Sequence, residues 1–198
     1  MPISDCEVRD PRIRRTRQLL QNAFRGLLES RSFEEISVQE ITDAATVNRA
    51  TFYDHYADKF ALFEAMVAGG FHALLHERNV EFDGSCPSAA KAIVLAACDY
   101  LIQVHSSAKG CKGHGTFQPL MDAAITAAIR RILIKGLEMG DGRGPLLSRE
   151  LIAGAASWAI YGAVKEWFDT PGRPAAEEIA PAITELIFPV IAAGQGAV

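Results

Sequence analysis

Several features of enzymes, secreted proteins and membrane proteins are missing from this sequence. The four cysteines include no C-x-x-C pair, and no run of 18 apolar residues occurs, so a transmembrane helix is not expected. The N-terminal stretch MPISDCEVRDPRIRR lacks the apolar segment of a secretory signal. These absences predict a cytoplasmic protein with no membrane partner.

Neither sign of charge dominates the chain. Its 198 residues contain 20 Lys and Arg against 24 Asp and Glu, for a net charge of −4. A general polyanion binder is therefore excluded, and any affinity for nucleic acid must come from a local patch. With 49% hydrophobic and 22% charged residues, the chain is expected to be globular, and its length suits one core or two small ones.

The most informative segment spans residues 37–59, SVQEITDAATVNRATFYDHYADK. Ser37 and Glu40 have the spacing of a capping box at a helix start. Asn48 suits the cap of a second short helix, and Asp58 suits the cap of a third. This pattern predicts a tight helix-turn-helix, which many proteins use to present side chains to the DNA major groove.

The second short helix carries side chains that suit nucleic acid. They are polar, aromatic and basic: Asn48, Arg49, Thr51, Tyr53 and His55, followed by Lys59. A further helix is predicted over residues 12–30. The arginines on it and just before it form either a solvated face or an arm that contacts phosphates, and the neighbouring helix-turn-helix favours the arm; they are Arg9, Arg12, Arg14, Arg15, Arg17 and Arg25.

Residues 12–66 resemble the N-terminal domain of the TetR family of bacterial transcriptional repressors. The resemblance covers FEEISVQEITDAA, VNRATFYDHY and ADKFALFEAM, and its most specific part is the run from Thr51 to Lys59. It implies an all-α fold. Residues 1–57 would be a three-helix DNA-binding domain with a basic arm, and residues 58–198 a helical ligand-binding and dimerisation domain.

The resemblance also implies roles for individual residues. Arg49 and Thr51 would face the major groove, with Asn48 and Gln39 nearby. Tyr53, His55 and Lys59 would hold phosphates. The implied partner is double-stranded DNA carrying an inverted-repeat operator, from which a small-molecule effector releases a dimeric repressor.

Two residues depart from the family pattern. Thr46 stands in the turn where the family usually has glycine, which tolerates positive φ far better than a β-branched residue. Asp54 places an acid on the predicted recognition helix. This carboxylate could accept from a cytosine amino group or point into solvent.

The remainder of the chain has the pattern of further helices, over about 59–80, 88–107, 117–139, 147–168 and 175–194, with glycine-rich loops between them. The last two helices are rich in small and apolar residues. They form either an internal core pair or, as the resemblance implies, a homodimer interface through residues 147–194. Pro181 and Pro189 are expected to kink the final helix.

An effector pocket is predicted between the helices that follow residue 58. The candidate lining residues are mostly large and apolar: Phe71, Leu75, Tyr100, His105, Phe117, Met121, Ile125, Trp158 and Tyr161. Each of them could equally be a core residue. An apolar or aromatic small molecule would suit such a pocket.

Other functions remain open at this stage. Cys98, Cys111, His105 and His114 could sense a metal or the redox state, because thiolate and imidazole suit zinc and copper. A regulator controlled by a partner protein is a second alternative. A helical enzyme is a third, although no nucleophile–base pair or metal motif supports it. No metal and no cofactor are expected.

Overall fold

The computed structural model describes residues 10–78, 86–107, 114–139 and 148–193. Within these ranges the chain forms helices and turns, and no described residue lies in a strand, so the predicted all-α fold is confirmed. The helices are α1 (Pro11–Leu28), α2 (Val38–Ala45), α3 (Arg49–His55), α4 (Lys59–Glu77), α5 (Pro87–Ser107), α6 (His114–Met139), α7 (Arg149–Asp169) and α8 (Ala176–Ala192).

Helix α1 begins where local chemistry favours a start. The side chain of Asp10 accepts a hydrogen bond from the amide of Arg12 at 2.8 Å, and Pro11 occupies the first helical position, where its missing N–H costs nothing. On α1 the apolar side chains of Leu20 and Phe24 are fully buried, whereas Ile13 in the first turn is 40% exposed.

The chain divides into two compact units. The first comprises the chain up to Gly70 together with His105–Ala124, and the second comprises Phe71–Val104 with Ile125–Val198. In the first unit the core includes the buried side chains of Phe24, Ile36, Ile41 and Phe52. The predicted functional division into residues 1–57 and 58–198 stays a prediction.

Helices α5 and α6 both begin before the predicted residue. Helix α5 begins at Pro87, one residue earlier than expected. Helix α6 begins at His114 rather than near Phe117. Its first turn is helical although glycine, here Gly115, usually favours a loop. Pro119 therefore lies inside the helix and not in its first turn.

The last two helices agree closely with the pattern. The hydroxyl of Ser148 caps α7 by accepting from the amide of Leu151 at 3.2 Å. Helix α8 continues through both Pro181 and Pro189. In α8 the buried positions include Ile183, Ile187 and Ile191, which recur every four residues and face the core.

Helix α5 meets a simple length and hydropathy criterion for a membrane span over Pro87–Ser106, where mean hydropathy is 1.2. However, 61% of that window is buried inside the protein. The core helix of a soluble protein meets the same criterion, so this is weak evidence for a membrane segment.

Candidate nucleic-acid interface

Helix α2 is fixed at its start by the predicted capping box. The amide of Glu40 donates to the hydroxyl oxygen of Ser37 at 3.3 Å, and the amide of Ser37 donates to the Glu40 carboxylate at 2.8 Å. The guanidinium of Arg31 donates to the same carboxylate. This bond, helped by the donors of Ser37, lowers the pKa of Glu40 from 4.5 to about 2.

The turn between α2 and α3 contains the predicted backbone exception. Thr46 has φ 53° and ψ 41°, and it is the one residue other than glycine with positive φ in the described part of the chain. The amide of Thr46 donates to Asp43 O at 3.2 Å, and the amide of Val47 donates to Thr42 O at 3.0 Å. These two bonds form a Schellman motif, in which glycine usually occupies the left-handed position.

Helix α3 has one buried side and one exposed side. Asn48 caps it as predicted, accepting from the amide of Ala50 at 2.8 Å. Phe52 is fully buried and Tyr56 is 2% exposed, so both belong to the core. Since the back of this short helix is held in the core, its remaining positions face outward in a fixed orientation.

Arg49 and Tyr53 form a pair on the outward side of α3. A guanidinium nitrogen of Arg49 donates to the Tyr53 hydroxyl at 3.3 Å, and the guanidinium carbon lies 5.7 Å from the centre of the ring. Tyr53 is 48% exposed, and Arg49 and Asp54 are also exposed. The pair is thus accessible to a partner molecule and restrained before one binds.

The other predicted contact residues lie on the same small unit. Gln39 is exposed on α2, and its amide donates to the carboxylate of Asp43 at 2.8 Å. Thr51 and His55 are half-buried on α3. Asn48 is exposed, although its side-chain oxygen is engaged as the helix cap. Their roles as DNA contacts remain predictions.

Arg17 differs from the expectation of an exposed basic face. Its side chain is only 5% exposed, and Nε donates to the Tyr56 hydroxyl at 3.2 Å. Gln21 donates to the same hydroxyl at 3.1 Å. No sequence pattern indicates this contact, because Arg17 and Tyr56 are 39 positions apart. Arg12, Arg14, Arg15 and Arg25 are exposed as predicted, and Arg9 lies outside the described residues.

Lys59, the first residue of α4, faces the loop before α2. Its ammonium nitrogen donates to the carbonyl oxygens of Phe33 at 2.8 Å, Glu34 at 3.2 Å and Ile36 at 2.8 Å. The phosphate contact predicted for Lys59 stays a prediction. These bonds connect its side chain to the loop before α2.

Comparison with known proteins agrees with this geometry. Residues 20–66, which contain the second half of α1 and all of α2 and α3, match the sequence model of bacterial regulatory proteins of the tetR family. The N-terminal helix-turn-helix domain of this chain belongs to the TetR family. The predicted three-helix N-terminal domain with a helix-turn-helix is confirmed.

Two curated relatives match part of this chain. It is 34% identical over 102 residues to the uncharacterized HTH-type transcriptional regulator YxbF of Bacillus subtilis (strain 168), covering 48% of this chain and 27% of that protein. It is 27% identical over 64 residues to the HTH-type dhaKLM operon transcriptional activator DhaS of Lactococcus lactis subsp. lactis (strain IL1403), covering 32% of this chain and 34% of that one. The matched segment therefore spans roughly a third or less of each relative.

A solved structure extends the similarity to the whole fold. The dihydroxyacetone kinase operon activator DhaS superposes with a TM-score of 0.52 at 18% identity, covering 91% of this chain and 98% of that one. Similarity at this level of identity supports the TetR-type helical fold, including the helices after α3.

The residues predicted to line an effector pocket differ in burial. Phe71, Leu75, Tyr100, Met121, Ile125 and Tyr161 are buried, and His105 is half-buried. The Phe117 side chain lies outside the described residues. Trp158 requires a correction, because it is 59% exposed on α7 and so cannot line a pocket enclosed within this chain.

The cysteines and histidines give little support to a sensing site. Burial raises the pKa of the Cys98 thiol to about 12, and the nearby Asp99 carboxylate adds to the effect, so this thiol stays protonated and unreactive. Among the described residues no three His, Cys, Asp or Glu side chains are grouped as metal ligands would be. Cys6 and Cys111 lie outside those residues, as does the side chain of His114.

Proposed function

We propose that this TetR-family protein is a dimeric transcriptional repressor that binds an inverted-repeat operator and is released from it by a small molecule. The observation that carries the proposal is the outward side of α3. There, Arg49 and Tyr53 are exposed and paired on a helix whose opposite side is buried through Phe52 and Tyr56.

The chemistry of α3 suits contact with the major groove. Arginine donates two parallel hydrogen bonds to the O6 and N7 atoms of guanine, the commonest specific contact of this kind. Tyr53 restrains the guanidinium of Arg49, so less side-chain entropy is lost on binding. We assign base contacts to Arg49, Thr51, Asn48 and Gln39. Tyr53, His55 and the exposed arginines of α1 would contact phosphates, which position the protein without specifying sequence.

A homodimer through α7 and α8 is supported by large apolar side chains that face outward. Leu151 and Trp158 on α7 are 57% and 59% exposed, and Leu186 on α8 is 71% exposed. Ala155 and Gly162 lie on the same exposed side of α7 and would allow close approach of a second helix. Aromatic residues such as Trp158 are enriched in the buried cores of protein–protein interfaces.

The effector is proposed to bind in the second unit. Phe71 and Tyr100 are both buried there, with ring centres 6.3 Å apart, and Leu75, Ile125 and Tyr161 are buried in the same unit. An apolar or aromatic small molecule suits this lining. By linkage, a ligand that releases DNA must bind the free protein more tightly than the DNA-bound protein.

Whether the protein represses or activates transcription requires a separate test. The Lactococcus relative is named as an activator, whereas repression follows here from the family resemblance. A promoter reporter carrying the bound site distinguishes the two, since a repressor lowers its output and an activator raises it. We also place this activity in the cytoplasm, where a bacterial operator is accessible.

The proposal is tested by selecting bound duplexes from a random 30-base-pair pool with wild-type protein and with the Arg49→Ala variant. Wild-type protein should enrich an inverted repeat. Arg49→Ala should lose the preference for one base in each half-site, a change of about 1–3 kcal/mol in discrimination. If neither protein enriches any sequence, the proposal is wrong.

A further inference from the structure

The ammonium group of Lys59 is fully engaged by the loop that precedes α2. An ammonium has three N–H donors. Three carbonyl oxygens, those of Phe33, Glu34 and Ile36, accept from it within 3.2 Å. The nitrogen also lies 4.6 Å from the centre of the Phe33 ring, close enough for a cation–π attraction.

The remaining carbonyl of this loop is held by a second cation. Nη2 of Arg31 donates to the carbonyl oxygen of Glu35 at 2.7 Å, while Nη1 of Arg31 donates to the Glu40 carboxylate. Four consecutive carbonyls, those of residues 33–36, therefore all accept from a positively charged side chain. The next residue is Ser37, the cap of α2, so these bonds set the place where α2 begins.

A phosphate ligand needs a donor that can turn toward DNA. For Lys59 to fill that role, it would have to give up at least one of its three bonds and leave a loop carbonyl without its charged donor. The exposed arginines of α1 meet no such cost, and they can supply the electrostatic attraction instead.

We propose that Lys59 is a positioning residue for DNA binding and not a phosphate ligand. It joins the start of α4 to the start of α2, and thereby holds Gln39 and the turn into α3 in place. This inference rests on the DNA-binding function proposed above.

Hydrogen exchange of the DNA-free protein provides the first test. The amides of Glu35, Ile36 and Ile41 donate to Ser32 O, Phe33 O and Ser37 O at 3.2, 3.3 and 3.1 Å. In Lys59→Met, exchange across residues 33–42 should speed up about tenfold, the factor expected for losing one charge-assisted hydrogen bond. Peptides from α7 should not change, and neither should residues 33–42 in Arg15→Met, which removes an exposed cation from α1.

The salt dependence of DNA binding provides the second test, on the duplex that wild-type protein enriches from the random pool. Each phosphate contact contributes about 0.9 to the slope of log affinity against log salt. Lys59→Met should bind this duplex more weakly with an unchanged slope. Lys59→Arg should not restore binding, because a planar guanidinium cannot direct three donors from one nitrogen.

The possible results separate the two proposals. Unchanged exchange in Lys59→Met, a slope lower by about 0.9, or full rescue by Lys59→Arg would overturn the positioning role. If wild-type protein enriches no duplex, the proposed DNA-binding function fails, whereas the exchange test of Lys59 remains independent of it. The exchange data then show whether Lys59 holds the loop in the absence of DNA.

Discussion

The Nε atom of Arg17 donates a hydrogen bond to the hydroxyl of Tyr56 at 3.2 Å, and its guanidinium carbon lies 5.0 Å from the centre of the same ring. Both side chains are buried. Tyr56 directly follows α3 and Arg17 lies in the middle of α1, so this contact fixes the end of the proposed recognition helix against the longest helix of the DNA-binding domain.

Replacement of Tyr56 by phenylalanine should destabilise the protein by about 1–3 kcal/mol, because the buried donors of Arg17 and Gln21 lose this acceptor. Urea unfolding of the full chain measures the change. The control, Tyr53→Phe, removes a hydroxyl from an exposed tyrosine. Its free energy of unfolding should stay within about 0.5 kcal/mol of wild type. Equal losses in both variants would show that burial of the Tyr56 hydroxyl is not the cause.

Thr46→Gly should stabilise the protein by roughly 0.5–1 kcal/mol. A residue with a β-carbon is strained at φ 53°, and the relief outweighs the greater freedom of glycine in the unfolded chain. Thr46→Ala keeps the β-carbon and should show no such gain. A lower melting temperature for Thr46→Gly than for wild type would contradict this explanation.

Stability should fall in acid through Glu40. Its pKa in the folded protein is about 2 against an ordinary 4.5, chiefly because Arg31 donates to the carboxylate. A lowered pKa stabilises the fold above about pH 4.5, and that stabilisation is lost as the pH falls toward 2.

Melting temperatures measured from about pH 6 to about pH 2.5, in steps of about one pH unit, detect this loss of stability. Glu40→Gln should flatten the wild-type profile in this range. Arg31→Gln should move the loss to higher pH, since it removes the main cause of the shift. An identical profile in wild type and Glu40→Gln would contradict the assignment.

Leu186→Glu and Trp158→Glu should each weaken self-association by about 30-fold or more, since a charge would replace an apolar anchor at the proposed dimer interface. Sedimentation equilibrium measures the dissociation constant. The control is Leu19→Glu, which changes an apolar residue of α1 that is 43% exposed and should leave association intact. Wild-type protein that stays monomeric at micromolar concentrations would contradict the dimer.

The features predicted best are those determined by neighbours in sequence. Ser37 and Glu40 are three residues apart, so their capping box could be inferred from composition and spacing alone. The special backbone at Thr46 was indicated only by the family resemblance, because the family usually has glycine in this turn. Caps and turns depend on a few adjacent residues, and such local chemistry is visible in a sequence.

Contacts between distant segments could not be predicted in this way. Arg17 looked like one more arginine of an exposed face, because its acceptor, Tyr56, lies on another helix. The bonds of Lys59 to backbone carbonyls about 25 residues earlier could not be predicted either, because sequence composition does not reveal them. The exposure of Trp158 could not be predicted either, because the apolar pattern of α7 does not show which side of the helix faces outward.

The central claim is that two copies of α3 contact two half-sites on one face of the DNA. Its most direct test measures the affinity of wild-type protein for its enriched duplex before and after insertion of about 5 base pairs between the half-sites, which is half a helical turn. The account predicts two protomers on the original duplex and loss of tight binding after the insertion, because one half-site then faces away. Unchanged affinity for the lengthened duplex would contradict it.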